Sequence, residues 1–354
     1  MASRLQLGLR QLPRLRGALL SWYDKNKRDL PWRTTRDPYR VWVSEIMLQQ
    51  TRVATVVLRY SQFLQKFPSL EALAAARQSS VLAEWSGLGY YRRARNLHAA
   101  AKIVVREGNF PATARDWMNL PGIGRYTAAA IASIALGEPV AVLDGNVERV
   151  LRRLLGGSLA RAYLWNTAED LLDRERPGDF NQAMMELGAT LCLPGEPRCG
   201  DCPISKFCRT RGPGISASRP ARQVRREVHF SLAQRSDSIL LVRRAKSVSL
   251  MPGMWELPKI ASPRASDQIL FSLRHSITTT DFTVHVIKWR AAPALKRGGI
   301  QSSLVNLRGL RGYCSSGVHH TFPGTARWIS ISGLSMLPLT GLAKKILRKS
   351  GIIQ

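Results

Sequence analysis

The amino-acid sequence predicts two folded domains, a mainly α-helical one followed by an α+β one. From Leu19 to Leu191 apolar residues recur at the 3.6-residue spacing of helices, and Pro and Gly interrupt the pattern. Four of the five cysteines fall within seventeen residues directly after this stretch. Beyond residue 226 alternating, β-branched and aromatic residues indicate strands. We therefore expect a helical domain at residues 1–208, a basic linker at 209–226 and an α+β domain at 227–354.

The periodicity also gives approximate bounds for each element. Helices are predicted near residues 13–26, 40–65, 79–86, 90–107, 125–136, 144–156, 160–174 and 180–191. Strands are predicted at Glu227–Leu232, Ser238–Arg243, Phe282–Trp289 and Thr325–Ile331, followed by a helix at about 340–349.

The charge of the chain favours a polyanionic partner. The formal net charge is +29, and residues 209–354 hold 24 Lys and Arg against 5 Asp and Glu. Nucleic acid is the commonest polyanion that such a field attracts, although solubility and anionic membrane surfaces are alternatives. No apolar run reaches the ~18 residues of a membrane helix, so we expect no membrane partner. The acid-free, Arg-rich residues 1–16 are interpreted as the start of the first helix or as a targeting segment.

The clustered cysteines predict a metal site. Cys192, Cys199, Cys202 and Cys208 follow the spacing C-x6-C-x2-C-x5-C. A disulfide framework would spread its cysteines along the chain, whereas four thiolates on one loop can bind soft metals. An iron–sulfur cluster and a structural zinc ion are both compatible with such a loop. The spacing favours the cluster, because zinc knuckles usually contain two C-x2-C pairs. Cys314 stands alone and is interpreted as an ordinary thiol.

A glycine-containing turn before a helix predicts a phosphate-binding element. In Leu120-Pro121-Gly122-Ile123-Gly124 the two glycines permit a tight turn, and a helix begins immediately afterwards. The free amides of such a turn and the helix dipole bind phosphate. The pattern is typical of a helix–hairpin–helix, which binds the DNA backbone without reading its sequence. An ordinary helix-linking turn is the alternative.

Two acidic residues have a structural and a catalytic interpretation. Asp144 precedes Gly145 at a predicted helix start, where it could be an N-cap. It could equally stabilise a cationic sugar in a transition state. Glu45 lies in an apolar helical stretch, where its side chain either faces water or is partly buried with a raised pKa. In the second case it could act as a general acid.

Taken in order, these segments resemble the helix–hairpin–helix DNA glycosylase superfamily with its iron–sulfur loop. Within it they are similar to the adenine DNA glycosylases (the MutY family) over about residues 13–345. The segments Ser44–Thr51, Gly87–Tyr91 with Arg93–Arg95, and Asn181–Gly188 carry this resemblance. It implies a 4Fe–4S cluster on the four cysteines, and a monomer that acts on duplex DNA with an adenine opposite 8-oxoguanine or guanine. The expected location is the bacterial cytoplasm with the nucleoid, or an organelle or the nucleus in a eukaryote.

The resemblance also implies the roles of the site residues. Glu45 would protonate the flipped adenine, and Asp144 would stabilise or covalently trap the sugar with help from Tyr126 and Asn146. Relatives of the endonuclease III type carry a Lys that forms a Schiff base where this chain has Tyr126, so no strand cleavage is expected. Residues expected to contact the DNA are Trp32, Arg33, Gln50, Thr51, Leu88, Tyr90, Gly122, Gly124, Gln182 and Thr278.

The second domain resembles the Nudix-like module that this family appends. Gly253–Pro258 fits the start of that module, but Asp267 is the only acidic residue between Lys259 and Asp281. A module without an acidic metal site would bind and not hydrolyse. In the recognition loop, where relatives carry Phe-Ser-His, Thr278 keeps a hydroxyl for the lesion base. The alternatives are a bifunctional oxidised-pyrimidine glycosylase/lyase, an inactive DNA-binding relative and a Nudix hydrolase.

Overall fold

The computed structural model describes residues 11–212, 224–245, 247–248, 251–260, 263, 267–277, 280–289 and 324–354. Within them the chain divides into two compact units. One contains residues 11–76 and 93–212, and the other contains residues 77–92 and the described residues from 224 onward. The predicted N-terminal domain included 77–92. This segment groups with the second unit because the hydroxyls of Ser86 and Tyr91 both contact the carbonyl oxygen of Leu339.

The first unit is helical. Its helices are α1 (Leu12–Asn26), α2 (Pro38–Leu48), α3 (Val53–Lys66), α4 (Leu70–Ala75), α6 (Arg92–Glu107), α7 (Ala114–Trp117), α8 (Arg125–Ala135), α9 (Gly145–Leu155), α10 (Arg161–Leu171) and α11 (Pro177–Thr190). Helix α5 (Gln78–Glu84) belongs to the second unit, as does Arg92, the first residue of α6. Short 3-10 turns lie at Pro31–Arg33 and Ser205–Phe207. The predicted helical character is therefore confirmed, and the short helices α4 and α7 are additions to it.

Local sequence signals explain where several of these helices begin. Asp37 caps α2 by accepting a hydrogen bond from the amide of Arg40 at 2.7 Å, and Pro38 occupies the first turn. Ser69 and Thr113 cap α4 and α7 in the same way. Helices α1, α8, α9, α10 and α11 share one buried apolar cluster. The cysteine loop packs on this cluster, so the fold of the unit also fixes that loop.

The prediction of one helix over residues 40–65 is wrong. Helix α2 ends at Leu48 and α3 begins at Val53. Between them Gln50 adopts φ 55°, in the left-handed region that breaks a helix. The intervening residues contain neither Gly nor Pro, so the sequence carried none of the usual signals for this break.

The second unit combines two sheets with two helices. Its strands are β1 (Val224–Leu232), β2 (Gln234–Arg235), β3 (Ser238–Arg244), β4 (Trp255–Glu256), β5 (Lys259–Ile260), β6 (Ile269–Ile277), β7 (Thr280–Lys288) and β8 (Gly324–Ser330). One sheet has the order β5-β1-β7-β6, with β1 and β7 parallel. The other joins β2, β3 and β4, and β8 pairs with β3. Helix α5 (Gln78–Glu84) and helix α12 (Gly341–Lys349) complete the unit.

Strand β6 was not predicted. It ends at Ile277, directly before Thr278 of the predicted recognition loop, and it pairs with β7 in antiparallel register. Strand β1 begins at Val224, so the last three residues of the predicted linker belong to a strand. The rest of the α+β prediction for this unit is confirmed by strands β1, β3, β7 and β8 and by α12.

Within the described residues, none of the helices has the length and hydrophobicity of a membrane-spanning segment.

Candidate active site

The centre of the candidate site is a buried carboxyl on α2. Glu45 is 5% exposed, so of the two predicted placements its side chain is buried and does not face water. The hydroxyl of Tyr126 on α8 donates a hydrogen bond to Glu45 Oε2 at 3.0 Å. Burial raises the pKa of Glu45 to about 7, and the nearby charge of Asp144 also raises it. The Tyr126 hydrogen bond and the charge of Arg33 oppose this rise. The carboxyl can therefore hold a proton at neutral pH.

The second carboxyl begins α9. Asp144 Oδ1 accepts a hydrogen bond from the amide of Val147 at 2.7 Å, so the residue is the N-cap of this helix. The other oxygen, Oδ2, accepts from the Asn146 amide at 3.2 Å. Burial raises the pKa of Asp144, whereas these hydrogen bonds and the charge of Arg149 lower it. The capping and the electrostatic interpretations are therefore compatible, because one oxygen caps the helix while the carboxyl also acts on Glu45.

The phenol between the two elements remains a neutral donor. Burial and the charges of Glu45 and Asp144 raise the pKa of Tyr126 well above its usual value. Its hydroxyl also lies 3.2 Å from the sulfur of Met185 on α11. The structure therefore brings Glu45, Tyr126, Asp144 and Asn146 together in one site.

Arg33 is held near Glu45 by a buried ion-pair network. Glu186 on α11 accepts hydrogen bonds from Arg33 Nη2 at 2.7 Å and from Arg28 at 2.7 Å through each of its oxygens. These two arginines hold the pKa of Glu186 at about 2 despite burial, so it stays ionised. Sequence reasoning missed the roles of Glu186 and Arg28. The available signal was a single carboxylate among apolar residues of a helix, the same signal that identified Glu45.

The other residues predicted to line the base pocket lie on these elements. Trp32 is buried and packs edge-on against Tyr60 with ring centroids 5.5 Å apart. Gln182 is half-buried on α11, four residues before Glu186 and therefore on the same helix face.

The predicted phosphate-binding turn has the expected geometry. Gly122 adopts φ 80°, and a Cβ added there would lie 2.6 Å from the side chain of Asn96. Gly124 is exposed and is the N-cap of α8, and no side chain caps the first amides of this helix. The guanidinium of Arg125 lies 3.8 Å from the ring centroid of Trp165. The turn can therefore present free amides and a cation to an anion.

The residues predicted to enter the DNA duplex share a backbone feature. Gln50 is exposed with φ 55°, and Tyr90 is 47% exposed with φ 45°. Tyr90 belongs to the second unit, where the Trp85 indole donates to the carbonyl oxygen of Gly89 at 3.2 Å. Leu88 is buried in that unit. Thr278 lies outside the described residues, as does Cys314.

The cysteine loop forms a separate candidate centre. Cys192, Cys199, Cys202 and Cys208 line one pocket together with apolar side chains of α9 and α11. The guanidinium of Arg153 donates to Cys192 Sγ at 3.3 Å and to the carbonyl oxygen of Leu193 at 2.7 Å. In the described part of the chain no three His, Cys, Asp or Glu side chains are arranged to hold a single metal ion. The loop therefore places four soft ligands around one pocket.

Comparison with known proteins identifies the helical unit. Residues 43–164 match the family model described as HhH-GPD superfamily base excision DNA repair protein. This range includes Glu45, Tyr126 and Asp144. A solved structure of a thermostable thymine-DNA glycosylase aligns with 31% identity and a TM-score of 0.54, over 57% of this chain and 97% of that one.

Curated relatives are similar over a longer stretch. The adenine DNA glycosylase of Homo sapiens is 52% identical over 213 residues, which are 55% of this chain and 39% of that protein. The adenine DNA glycosylase of Arabidopsis thaliana is 42% identical over 307 residues, 72% of this chain and 48% of that protein. The chain therefore spans less than half the length of these two relatives.

Proposed function

Because the chain belongs to the HhH-GPD superfamily of base excision DNA repair proteins and, within it, to the adenine DNA glycosylase family, we propose that it hydrolyses the N-glycosidic bond of adenine mispaired with 8-oxoguanine or guanine in duplex DNA. One observation carries the proposal: a buried carboxyl, Glu45, has a pKa of about 7 and interacts with a second carboxyl, Asp144. An acid that is still protonated in about half of the molecules at pH 7, beside an anion, suits a reaction that needs both forms.

The reaction begins with the adenine outside the helix. A glycosidic bond inside a duplex is inaccessible, so the nucleotide must be extruded, at a cost of a few kcal/mol. Trp32, Arg33 and Gln182 would then line the pocket for the base, with Glu186 holding Arg33 in place. By the family resemblance, Gln50 would enter the vacated space and Thr51 would contact the DNA. In the second unit, Tyr90 is proposed to enter the duplex and Leu88 to support the unpaired partner base.

Proton transfer and charge stabilisation follow from the two carboxyls. Glu45 gives its proton to N7 of the adenine, and the bond from C1′ to N9 breaks with its electron pair leaving on the base. Asp144, as a carboxylate, stabilises the oxocarbenium-like sugar or bonds to C1′. Asn146 donates a hydrogen bond to Asp144 Oδ2 and so orients this carboxylate oxygen. Glu45, now ionised, accepts a proton from the water that attacks C1′.

Tyr126 supports a monofunctional reaction. A phenol has no amine with which to form a Schiff base at C1′, so the strand is not cleaved. Its hydroxyl instead donates a hydrogen bond to Glu45.

The cysteine loop suits a 4Fe–4S cluster held by Cys192, Cys199, Cys202 and Cys208. Four soft ligands around one pocket suit a cubane cluster. Their spacing contains only one C-x2-C pair, which favours the cluster over a zinc knuckle. The bound cluster would supply a covalent cross-link for the loop. Lys206, Arg209 and Arg211 are exposed on or beside it and can meet phosphates, as can the Gly122–Gly124 turn. Iron and sulfide analysis of the purified protein should give about four of each.

The second unit is proposed to be a Nudix-like recognition module for the base opposite adenine. In its Gly253–Pro258 segment, Glu256 is engaged by Arg244 at 2.7 Å and is therefore committed to an ion pair. The scarcity of acidic residues between Lys259 and Asp281 supports binding without hydrolysis. Thr278 remains the proposed contact for 8-oxoguanine.

Single-turnover excision tests the proposal. Duplexes with adenine opposite 8-oxoguanine, guanine and thymine are incubated with excess protein, and abasic sites are cleaved with alkali. We expect excision opposite 8-oxoguanine and guanine, with no strand break before alkali. The Glu45→Gln variant should bind the first duplex and lose excision by orders of magnitude. Release confined to adenine opposite thymine, or strand breaks without alkali, would refute the assignment.

A further inference from the structure

The turn that follows the catalytic helix is held by a side chain from another helix. Arg93, the second residue of α6, directs its guanidinium at the end of α2. Its Nη1 donates to the carbonyl oxygens of Ile46 at 2.8 Å and Met47 at 3.0 Å, and also to that of Gln49. Its Nη2 donates to the hydroxyl of Thr51 at 3.0 Å. The Arg93 guanidinium therefore contacts the residue before Gln50 and the residue after it.

These contacts satisfy backbone carbonyl groups at the end of α2. The last carbonyls of a helix have no partner within it, and a cation there also interacts favourably with the helix dipole. The residue between the two contacts is Gln50, which has φ 55° and is exposed. A left-handed conformation is unfavourable for a non-glycine residue and persists only where its surroundings impose it. Arg93 constrains this conformation, because the same guanidinium donates to the carbonyl oxygen of Gln49 and to the hydroxyl of Thr51. The amide of Thr51 also donates to the carbonyl oxygen of Leu48 at 3.2 Å.

We propose that Arg93 is a positioning residue that holds the Gln50 turn at a fixed place relative to Glu45. Both residues belong to the same stretch, with Glu45 on α2 and Gln50 just beyond its end. Locking the turn sets where the Gln50 side chain enters the duplex while the extruded adenine meets Glu45. The inference rests on the proposed function.

Arg93 acts on extrusion and not on proton transfer. The groups that shift the pKa of Glu45 are its burial, Tyr126, Asp144 and Arg33, and Arg93 is not one of them. Its donors lie on backbone carbonyls and on a threonine hydroxyl. Loss of Arg93 should therefore weaken base extrusion without moving the pH dependence of excision, a combination that damage to Glu45 would not produce.

The test uses the full chain and two readouts. A duplex with 2-aminopurine at the target position opposite 8-oxoguanine reports unstacking by its fluorescence, and single-turnover excision of adenine is followed from pH 5.5 to 9. The variants are Arg93→Met, which keeps length without donors, and the milder Arg93→Lys. Arg106→Met removes the same charge from the exposed end of the same helix and is the matched control.

We expect Arg93→Met to lower the extrusion equilibrium and the excision rate by roughly tenfold or more, with an unchanged pH midpoint. Arg93→Lys should give a smaller loss in the same direction, and it carries the test if Arg93→Met does not fold. Arg106→Met should behave as the unmodified chain. Normal extrusion by a folded Arg93 variant, or a shifted pH midpoint, would overturn this inference alone. If the unmodified chain neither extrudes nor excises, the proposed function falls and the inference falls with it.

Discussion

The pH dependence of excision follows from the burial of Glu45. Moving its pKa from 4.5 to about 7 corresponds to a preference of about 3 kcal/mol for the neutral form. At pH 7 an unperturbed glutamic acid would be protonated in about one molecule in 300, and Glu45 in about half. The rate of a reaction that needs this proton should be flat below about pH 6 and fall about tenfold per pH unit above pH 7.

Single-turnover excision measured from pH 5.5 to 9 checks this profile, and Tyr126→Phe checks its cause. The Tyr126 hydrogen bond lowers the pKa of Glu45, so its loss should move the falling limb to higher pH. Glu45→Gln should give a much slower rate without this limb. A limb that stays in place in Tyr126→Phe, or one that persists in Glu45→Gln, would refute the reasoning.

The same pKa predicts a stability effect with a defined sign. The folded state prefers neutral Glu45, so the unmodified chain loses stability relative to Glu45→Gln as pH rises from 4.5 through 7. The difference should approach about 3 kcal/mol above pH 7. It is measured as a melting-temperature gap that widens with pH, and a constant gap would contradict the buried neutral carboxyl.

Three further predictions concern single positions. Asp144→Asn keeps a good N-cap and removes a buried charge. The melting temperature should therefore be retained while the excision rate falls by orders of magnitude. A fall in melting temperature that accounts for the lost excision would make Asp144 purely structural. Gly122→Ala should cost about 2 kcal/mol of stability, because it places a Cβ against Asn96 at positive φ. Gly124→Ala should fold normally, because there is open space around that position. Thermal melting of the two variants tests this difference. Tyr126→Lys should allow borohydride to trap an adduct with DNA, and an adduct on the unmodified chain would contradict the monofunctional reaction.

The sequence predicted those features that local patterns encode. Apolar periodicity gave the helical character of the first unit, and cysteine spacing gave the loop whose thiols share a pocket. The family resemblance is confirmed by the comparisons. For Asp144 the sequence offered two roles, and the structure shows that one carboxyl can serve both.

Features that depend on distant residues escaped prediction. The turn after α2 is contacted by Arg93, which lies 42 positions along the chain from Thr51. Arg33 meets Glu186 across 153 positions. Residues 77–92 group with the second unit through contacts that reach Leu339. No local pattern reports such contacts, because they arise only when the chain has folded.

The most direct test of the central claim is a crystal structure with DNA. The duplex should carry a 2′-fluoro-deoxyadenosine, which resists cleavage, opposite 8-oxoguanine. We predict an extruded nucleoside whose N7 lies within hydrogen-bonding distance of Glu45 and whose C1′ faces the Asp144 carboxylate. An adenosine that stays stacked in the duplex, or carboxyls that contact different groups, would contradict the account.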